Sequence, residues 1–106
     1  MGPRVNRGDV WLAEVGRKRR PVLVLTRNEV LDVRALVTVA EISTSARGLA
    51  AEVAVDHERI GLDHASVINC DGLHTIAQST LTQRVGEIDD DTLDRVCAAL
   101  SYALGC

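Results

Sequence analysis

The run Arg17-Lys18-Arg19-Arg20 is the densest group of charged side chains in the chain, and Pro21 follows it directly. The next residues are strongly apolar, so the basic run ends where a strand-like segment begins. Proline has a fixed φ and no N–H for a sheet ladder, which places Arg20 at the start of that strand. A guanidinium held at a strand end is suited to binding a phosphate through two hydrogen bonds.

A loop rich in hydroxyl groups follows a later apolar run. Ser43, Thr44 and Ser45 are consecutive, and Arg47 comes shortly after them. Hydroxyl groups at a strand end can donate to a phosphate oxygen, and Arg47 can add a second cationic contact. The alternative is a serine-rich loop that hydrogen-bonds to its own backbone and carries Arg47 as an ordinary surface charge.

A third polar segment places an amide, a thiol, a carboxylate and an imidazole between two apolar runs, from Asn69 to His74. The pair Asp71-Gly72 predicts a turn, and the alternative to a functional segment is a polar hairpin with a buried Cys70. A triad of cysteine, histidine and aspartate would suit nucleophilic catalysis. We reject thiol catalysis because Cys70 falls in a strand predicted to be buried.

Composition argues against several kinds of site. Trp11 and Tyr102 are the only aromatic residues besides the histidines, too few for the stacking surfaces of many single-strand binders. Three cysteines without CxxC spacing predict neither a disulfide framework nor a zinc knuckle, and three histidines stand at no ligand spacing. We therefore expect no metal and no cofactor.

No signal peptide and no membrane-length apolar run is found, which favours the cytoplasm.

Charge is divided unevenly along the chain, whose net charge is −3. Residues 1–50 contain nine Lys/Arg and five Asp/Glu, whereas residues 51–106 contain three Arg and ten Asp/Glu. The first part therefore carries +4 and the second −7. Such asymmetry is typical of proteins with a polyanion-binding surface on one side.

The length predicts one domain over residues 1–106. Short apolar runs predict seven strands, and the spacing of Leu93, Val96 and Leu100 predicts a C-terminal amphipathic helix that starts near Asp89 and is capped by Gly105. A small twisted barrel or sheet with one packed helix is the expected fold. The predicted strands are Asp9–Val15, Pro21–Thr26, Ala35–Ile42, Glu52–Val55, Ser66–Asn69, His74–Ile76 and Gln83–Ile88.

These segments, in this order, resemble the MazF/PemK family of toxin endoribonucleases, particularly its mycobacterial-type members. The likeness extends from about Val5 to the terminal helix. The segments that carry it are Asn6-Arg-Gly-Asp-Val-Trp-Leu12, Arg20-Pro-Val-Leu-Val-Leu-Thr-Arg27, Val39-Ala-Glu-Ile-Ser-Thr44, Arg47-Gly-Leu49, Val67-Ile-Asn-Cys-Asp71 and His74-Thr-Ile76.

The resemblance implies an SH3-like small barrel with a C-terminal helix, mainly β, that acts as a homodimer. It implies metal-independent cleavage of single-stranded RNA to 2′,3′-cyclic phosphate and 5′-hydroxyl ends, without a cofactor, by the toxin of a type II toxin–antitoxin system. The implied partner is a MazE-like antitoxin whose tail lies in the RNA groove. Neither a membrane nor DNA is an expected partner of the toxin.

The resemblance also assigns roles to residues. The arginine before the Pro-Val-Leu strand, Arg20, is implied to be catalytic together with a hydroxyl, which is Ser43 or its neighbour Thr44. Asp71 takes the place of an aspartate that participates in PemK-like members, and Asn69 stands where those members have an arginine. The implied RNA-binding residues are Arg17, Lys18, Arg19, Arg27, Arg47, Asn69 and His74.

Two alternatives belong to other functional classes. One is a non-catalytic SH3-like interaction module whose basic edge binds an acidic peptide. The other is a gyrase poison like CcdB, a structural relative of the family, which lacks the pairing of Arg-Pro-Val-Leu with a hydroxyl loop.

Overall fold

The computed structural model describes residues 4–15 and 17–105, and within them six strands form one antiparallel sheet. The strands are β1 Asp9–Val15, β2 Lys18–Val24, β3 Leu36–Ser43, β4 Glu52–Val55, β5 Ser66–Ala77 and β6 Leu81–Glu87. Their order across the sheet is β4-β5-β3-β2-β1-β6. A short helix α1 (Asn28–Leu31) follows β2, and α2 (Asp90–Leu104) ends the described chain. The predicted class, mainly β with a C-terminal helix, is confirmed.

β2 starts earlier than predicted. It begins at Lys18, where it pairs with Val15 of β1, so Lys18, Arg19 and Arg20 of the basic run lie inside the strand rather than before it. Its pairing with β3 begins only at Val22, directly after Pro21, which has no N–H to donate. β2 and β3 are therefore unpaired at the end that carries Arg20, and a groove can open between them.

The predicted turn at Asp71-Gly72 is wrong. The fifth and sixth predicted strands are one continuous strand, β5. Opposite it, Ala40 of β3 pairs with Leu73, whereas the next residue, Glu41, pairs with Asn69. Residues 70–72 thus have no partner on β3 and form a bulge, a feature that uses the same small and polar residue types as a turn.

Apolar side chains divide between the two faces of the sheet because neighbouring residues of a strand point in opposite directions. One cluster includes Leu23, Ala40 and Ile68 and packs against Val96 and Ala99, the buried residues of α2. The other includes Trp11, Val22 and Val39. Where β2 and β3 pair, Val22–Val24 of β2 and Val39 and Ala40 of β3 are buried on both faces, as the uninterrupted apolar run after Pro21 predicts.

α2 begins and ends where the sequence predicts. The Asp89 side chain accepts a hydrogen bond from the backbone N–H of Thr92 at 2.8 Å, and hydrogen bonding to Thr92 lowers the pKa of Asp89. Gly105 has a φ of 72°, the left-handed conformation of a glycine C-cap.

Neither α1 nor α2 is long and apolar enough to cross a membrane, and the described residues contain no other helix that is.

The two edges of the sheet are brought together by the turn at residues 57–61, which follows β4 and lies against β6. Gly61 packs on the backbone of Val85, and the backbone of Ile60 packs on Gly86. Both contacts are too close for a side chain on either glycine. The sheet therefore closes into a small barrel, in agreement with the predicted SH3-like architecture.

A buried carboxylate connects the first and last strands. Asp9 is 2% exposed and accepts hydrogen bonds from the backbone N–H of Asn6 at 2.9 Å and from Nε1 of Trp11 at 3.3 Å. Its other oxygen accepts one from Arg84 of β6 at 3.3 Å. The turn at Arg7-Gly8 with a local aspartate bond is as predicted, while the bond to Arg84 has no signal in the sequence.

Replacement of Gly86 tests the closure of the barrel. Gly86→Ala should lower the free energy of unfolding by about 1–3 kcal/mol, because its Cβ would lie 2.5 Å from the carbonyl oxygen of Ile60. Urea unfolding followed by circular dichroism measures the change. Ser79→Ala, at an exposed position between β5 and β6, is the control and should stay within about 0.5 kcal/mol of the parent protein. Equal stability of both variants would contradict the packing of this turn on β6.

Candidate functional site

A groove of about 780 Å³ opens where the ends of β2, β3, β4 and β5 meet the loops that follow β3 and β4. It brings together most of the residues singled out from the sequence. Those that line it are Lys18, Arg20, Ser43, Thr44, Arg47, Asn69 and Asp71. The groove thus joins side chains contributed by three segments that are far apart in the sequence.

Arg20 and Ser43 are placed on facing positions of neighbouring strands. Val22 of β2 pairs with Glu41 of β3, and the same register continued by two residues puts Arg20 opposite Ser43. Pairing has ended at this point, so the two side chains flank the opening between the strands. Arg20 is exposed, and among the described residues its guanidinium makes no hydrogen bond and no ion pair. Its donors are therefore available to an anionic ligand.

The two candidate hydroxyls differ in their surroundings. Ser43 is half-buried at the end of β3, and its Oγ accepts a hydrogen bond from the backbone N–H of Ser45 at 3.0 Å. This bond fixes the oxygen and leaves the hydroxyl hydrogen free to be donated. Thr44 is exposed beyond the strand, and within the described chain its hydroxyl has no hydrogen bond. Ser43 is thus the better oriented of the two donors.

The bulge in β5 shapes the opposite side of the groove. Inside it, the backbone N–H of Asp71 donates to Oδ1 of Asn69 at 3.0 Å, and the exposed Asp71 carboxylate lines the groove. A Cβ on Gly72 would lie 2.6 Å from Oε2 of Glu41 and 3.0 Å from Nδ2 of Asn69. The absent side chain at Gly72 therefore leaves room for the Glu41 and Asn69 side chains.

His74 lies behind the groove rather than on its surface. Its Nε2 atom is buried and lies 3.1 Å from Oε1 of Glu41. The two atoms do not have the geometry of a hydrogen bond. Glu41 in turn lines the groove. Any influence of His74 on a ligand would therefore be transmitted through Glu41.

Three of the arginines predicted to bind RNA lie outside the groove. Arg19 follows Lys18 and precedes Arg20 on β2, so its side chain points to the other face of the strand. Arg17 lies in the turn before β2, next to Gly16, which is outside the described residues. Arg27 lies past the far end of β2, just before α1. All three are exposed, but they do not line this groove.

The groove has mixed charge. Its cations are Lys18, Arg20 and Arg47, and it also contains four carboxylates, of which Asp71 alone was predicted. The remaining charged or titratable lining residues are Glu41, Glu52, Asp63 and His64. No spacing signal identified these four, because they reach the groove through sheet register and loop folding rather than through a motif.

Cys70 sits between Asn69 and Asp71 but points away from the groove. It is fully buried beneath α2, where its Sγ faces the carbonyl oxygen of Val96 at 4.0 Å. The pKa of the Cys70 thiol is raised to about 11, mainly because the thiol is buried. The nearby Asp71 and Cys97 make smaller contributions in the same direction. A nucleophilic cysteine requires the opposite shift. Cys106 lies outside the described residues.

In the ranges 4–15 and 17–105, no group of three or more His, Cys, Asp or Glu side chains is placed to hold a metal ion.

Comparison with known proteins identifies a family over most of the chain. The family model described as "PemK-like, MazF-like toxin of type II toxin-antitoxin system" matches residues 6–104. The chain is also similar to "Probable endoribonuclease MazF5" of Mycobacterium tuberculosis (strain ATCC 25618 / H37Rv). The two are 34% identical over 103 residues, which cover 94% of this chain and 93% of the relative.

Solved structures agree with this match. The "Mycobacterium tuberculosis toxin MazF-mt6" superposes with a TM-score of 0.86 at 36% identity, covering 92% of this chain and 96% of the other. A second structure is described as an endoribonuclease in complex with its cognate antitoxin from Mycobacterial species. It gives a TM-score of 0.87 at 25% identity, and the match covers 95% of each chain.

The reactivity of Cys70 provides a test of the site geometry. In the native protein, iodoacetamide at mildly alkaline pH should leave Cys70 unmodified, because the thiol is buried and its pKa is raised to about 11. Peptide mass spectrometry reads the outcome residue by residue. The same treatment in urea is the control and should modify Cys70 fully. Rapid labelling of Cys70 in the native protein would show that the thiol is accessible and would reopen the possibility of thiol chemistry.

Proposed function

The chain belongs to the PemK-like, MazF-like toxins of type II toxin–antitoxin systems and is an endoribonuclease, and we propose that it cleaves single-stranded RNA in the groove between β2 and β3 without a metal ion. The observation that carries this proposal is the placement of an unpaired guanidinium, Arg20, opposite the oriented hydroxyl of Ser43. Together they form a site with donors on two sides of one anion.

The reaction is an attack by the RNA on itself. The ribose 2′-oxygen loses its proton and bonds to the adjacent phosphorus, while the bond from phosphorus to the 5′-oxygen breaks. The leaving 5′-oxygen takes up a proton. The products are a 2′,3′-cyclic phosphate and a 5′-hydroxyl end, so the protein has to supply only alignment, charge stabilisation and proton transfer.

Arg20 is assigned the charge stabilisation. A guanidinium can donate two parallel hydrogen bonds to the nonbridging phosphate oxygens, whose negative charge grows as the 2′-oxygen bonds to phosphorus. Because a guanidinium keeps its proton in proteins, Arg20 stabilises charge rather than acting as the acid. Ser43 donates its free hydroxyl hydrogen to a phosphate oxygen and thereby fixes the phosphate in line.

Proton transfer is assigned to groups that face the groove and are not occupied elsewhere. Asp63, His64 and Asp71 are exposed and line the groove, and among the described residues their side chains have no hydrogen bond or ion pair. Carboxylates and imidazoles are the side chains most often used for this purpose. Glu52 is already occupied because it accepts backbone hydrogen bonds, and Glu41 lies 3.1 Å from His74.

The same groove supports the assignment of binding partners. Lys18 and Arg47 extend the cationic surface on either side of Arg20, which suits the backbone of a single strand. Because an antitoxin accompanies one of the matched endoribonuclease structures, we assign this chain an antitoxin whose acidic tail occupies the groove and covers Arg20. The working unit is assigned as a homodimer, as the family resemblance implies.

Removal of the guanidinium is the main test. Arg20→Ala should abolish cleavage of single-stranded RNA, assayed with EDTA present, because no other cation of the groove stands opposite Ser43. Arg34→Ala changes an exposed arginine outside the groove and is the matched control; it should cleave at the parent rate. Both variants should keep the parental circular dichroism spectrum. Full activity of Arg20→Ala, or loss of parental activity in EDTA, would refute the assignment.

The choice between the two hydroxyls is tested by a pair of substitutions. Ser43→Ala should slow single-turnover cleavage by roughly a hundredfold, because it removes an oriented donor. Thr44→Ala should have a much smaller effect, since its hydroxyl is exposed and has no hydrogen bond within the described chain. The reverse order of the two rates would transfer the role to Thr44.

A further inference from the structure

The loop between β3 and β4 is held by one carboxylate. Oε1 of Glu52 accepts hydrogen bonds from the backbone N–H groups of Arg47 at 2.9 Å and Leu49 at 3.1 Å. Oε2 accepts a second, longer bond from the same Arg47 N–H at 3.2 Å. The backbone N–H of Glu52 donates to the carbonyl oxygen of Leu49 at 3.0 Å. Side chain and backbone of Glu52 therefore both fix the segment Arg47–Leu49.

This arrangement is stronger than an ordinary loop contact. Hydrogen bonds to an ionised carboxylate are shorter and stronger than those between neutral groups. Gly48, between the two donors, has a φ of 70°, which allows the chain to turn so that both N–H groups point at one oxygen. Glu52 is itself fixed, because it is half-buried and pairs with Asn69 of β5. The segment is thus tied to the strand that carries the bulge.

The fixed segment presents two different side chains to the groove. Arg47 is exposed, and among described residues its guanidinium has neither a hydrogen bond nor an ion pair. Leu49 is 51% exposed and also lines the groove, so its apolar side chain is available for contact with a ligand. A cation and an apolar surface two residues apart match the phosphate and the base of one nucleotide.

We infer that Glu52 is a positioning residue that holds Arg47 and Leu49 in place to bind a nucleotide adjacent to the cleaved phosphate. The inference rests on the proposed function and deepens it, since it assigns substrate selection to a segment separate from Arg20 and Ser43. Arg47 contacts the phosphate of that nucleotide, and Leu49 contacts the face of its base.

A different role for Glu52 would have the opposite effect on binding. If the carboxylate acted only as a negative charge in the groove, it would repel RNA, and its removal would tighten binding. In the positioning role, removal frees the loop and weakens binding. The sign of the change in RNA affinity therefore separates the two roles.

Three substitutions at Glu52 separate side-chain length from charge. Glu52→Ala should raise KM by about tenfold, leave kcat nearly unchanged, and broaden the set of cleaved sequences. Glu52→Asp should behave similarly, because the shortened side chain does not reach Arg47 and Leu49. Glu52→Gln should recover most of the parental KM, since one amide oxygen can accept the two bonds that Oε1 accepts now. Glu58→Ala, an exposed residue outside the groove, is the control and should match the parent protein.

Backbone hydrogen exchange tests the loop without any RNA. The amides of Arg47 and Leu49 should exchange at least about tenfold faster in Glu52→Ala than in the parent. If the parent protein fails to cleave RNA, the proposed function falls, while the exchange rates still report on the loop. If the parent cleaves and Glu52→Ala keeps its KM, cleavage pattern and exchange rates, the positioning role is wrong. Tighter RNA binding by both Glu52→Ala and Glu52→Gln would likewise overturn it.

Discussion

The register of β3 against its two neighbours is the constraint on which the site depends. Because side chains alternate between faces, a shift of one residue would move every polar group of β3 to the opposite side of the sheet. Glu41 is fixed on both sides, opposite Val22 of β2 and Asn69 of β5. Ser43 lies two residues further along β3, where β2 and β3 are no longer paired, and there it is opposite Arg20. Apolar packing on both faces of β3 maintains this register.

Two of the four carboxylates of the groove lie against other groups of the protein. Glu52 accepts backbone N–H groups of the loop after β3, and Glu41 lies beside His74. Negative charge that would otherwise oppose RNA is thereby used to order the groove's own walls, while the guanidinium of Arg20 remains available. In the RNA complex that we propose, binding would depend on a few fixed donors rather than on a broad basic surface, consistent with a net charge of −3.

Sequence patterns predicted the parts of the structure that depend on local signals. Short apolar runs located β1 and β4 to the residue, and capping residues located α2. The pair Asp71-Gly72 was misinterpreted as a turn because bulges and turns use the same residue types, and only pairing with β3 distinguishes them. Arg20, Ser43 and Asp71 were singled out by residue type, and a family resemblance gave them roles. Glu52 had no signal, since its role depends on a loop folding back onto its carboxylate.

The pairing of β1 with β6 has a consequence for when the protein can fold. Asp9 and Arg84 belong to the first and last strands of the sheet, so the hydrogen bond between them cannot form until the whole segment that separates them has been synthesised. All residues that line the groove are synthesised before β6, yet the barrel that supports them closes only after it. Contacts this distant in sequence make folding slow. The groove residues therefore gain their final support only once β6 has paired with β1, so the site and the strand that completes the sheet form together.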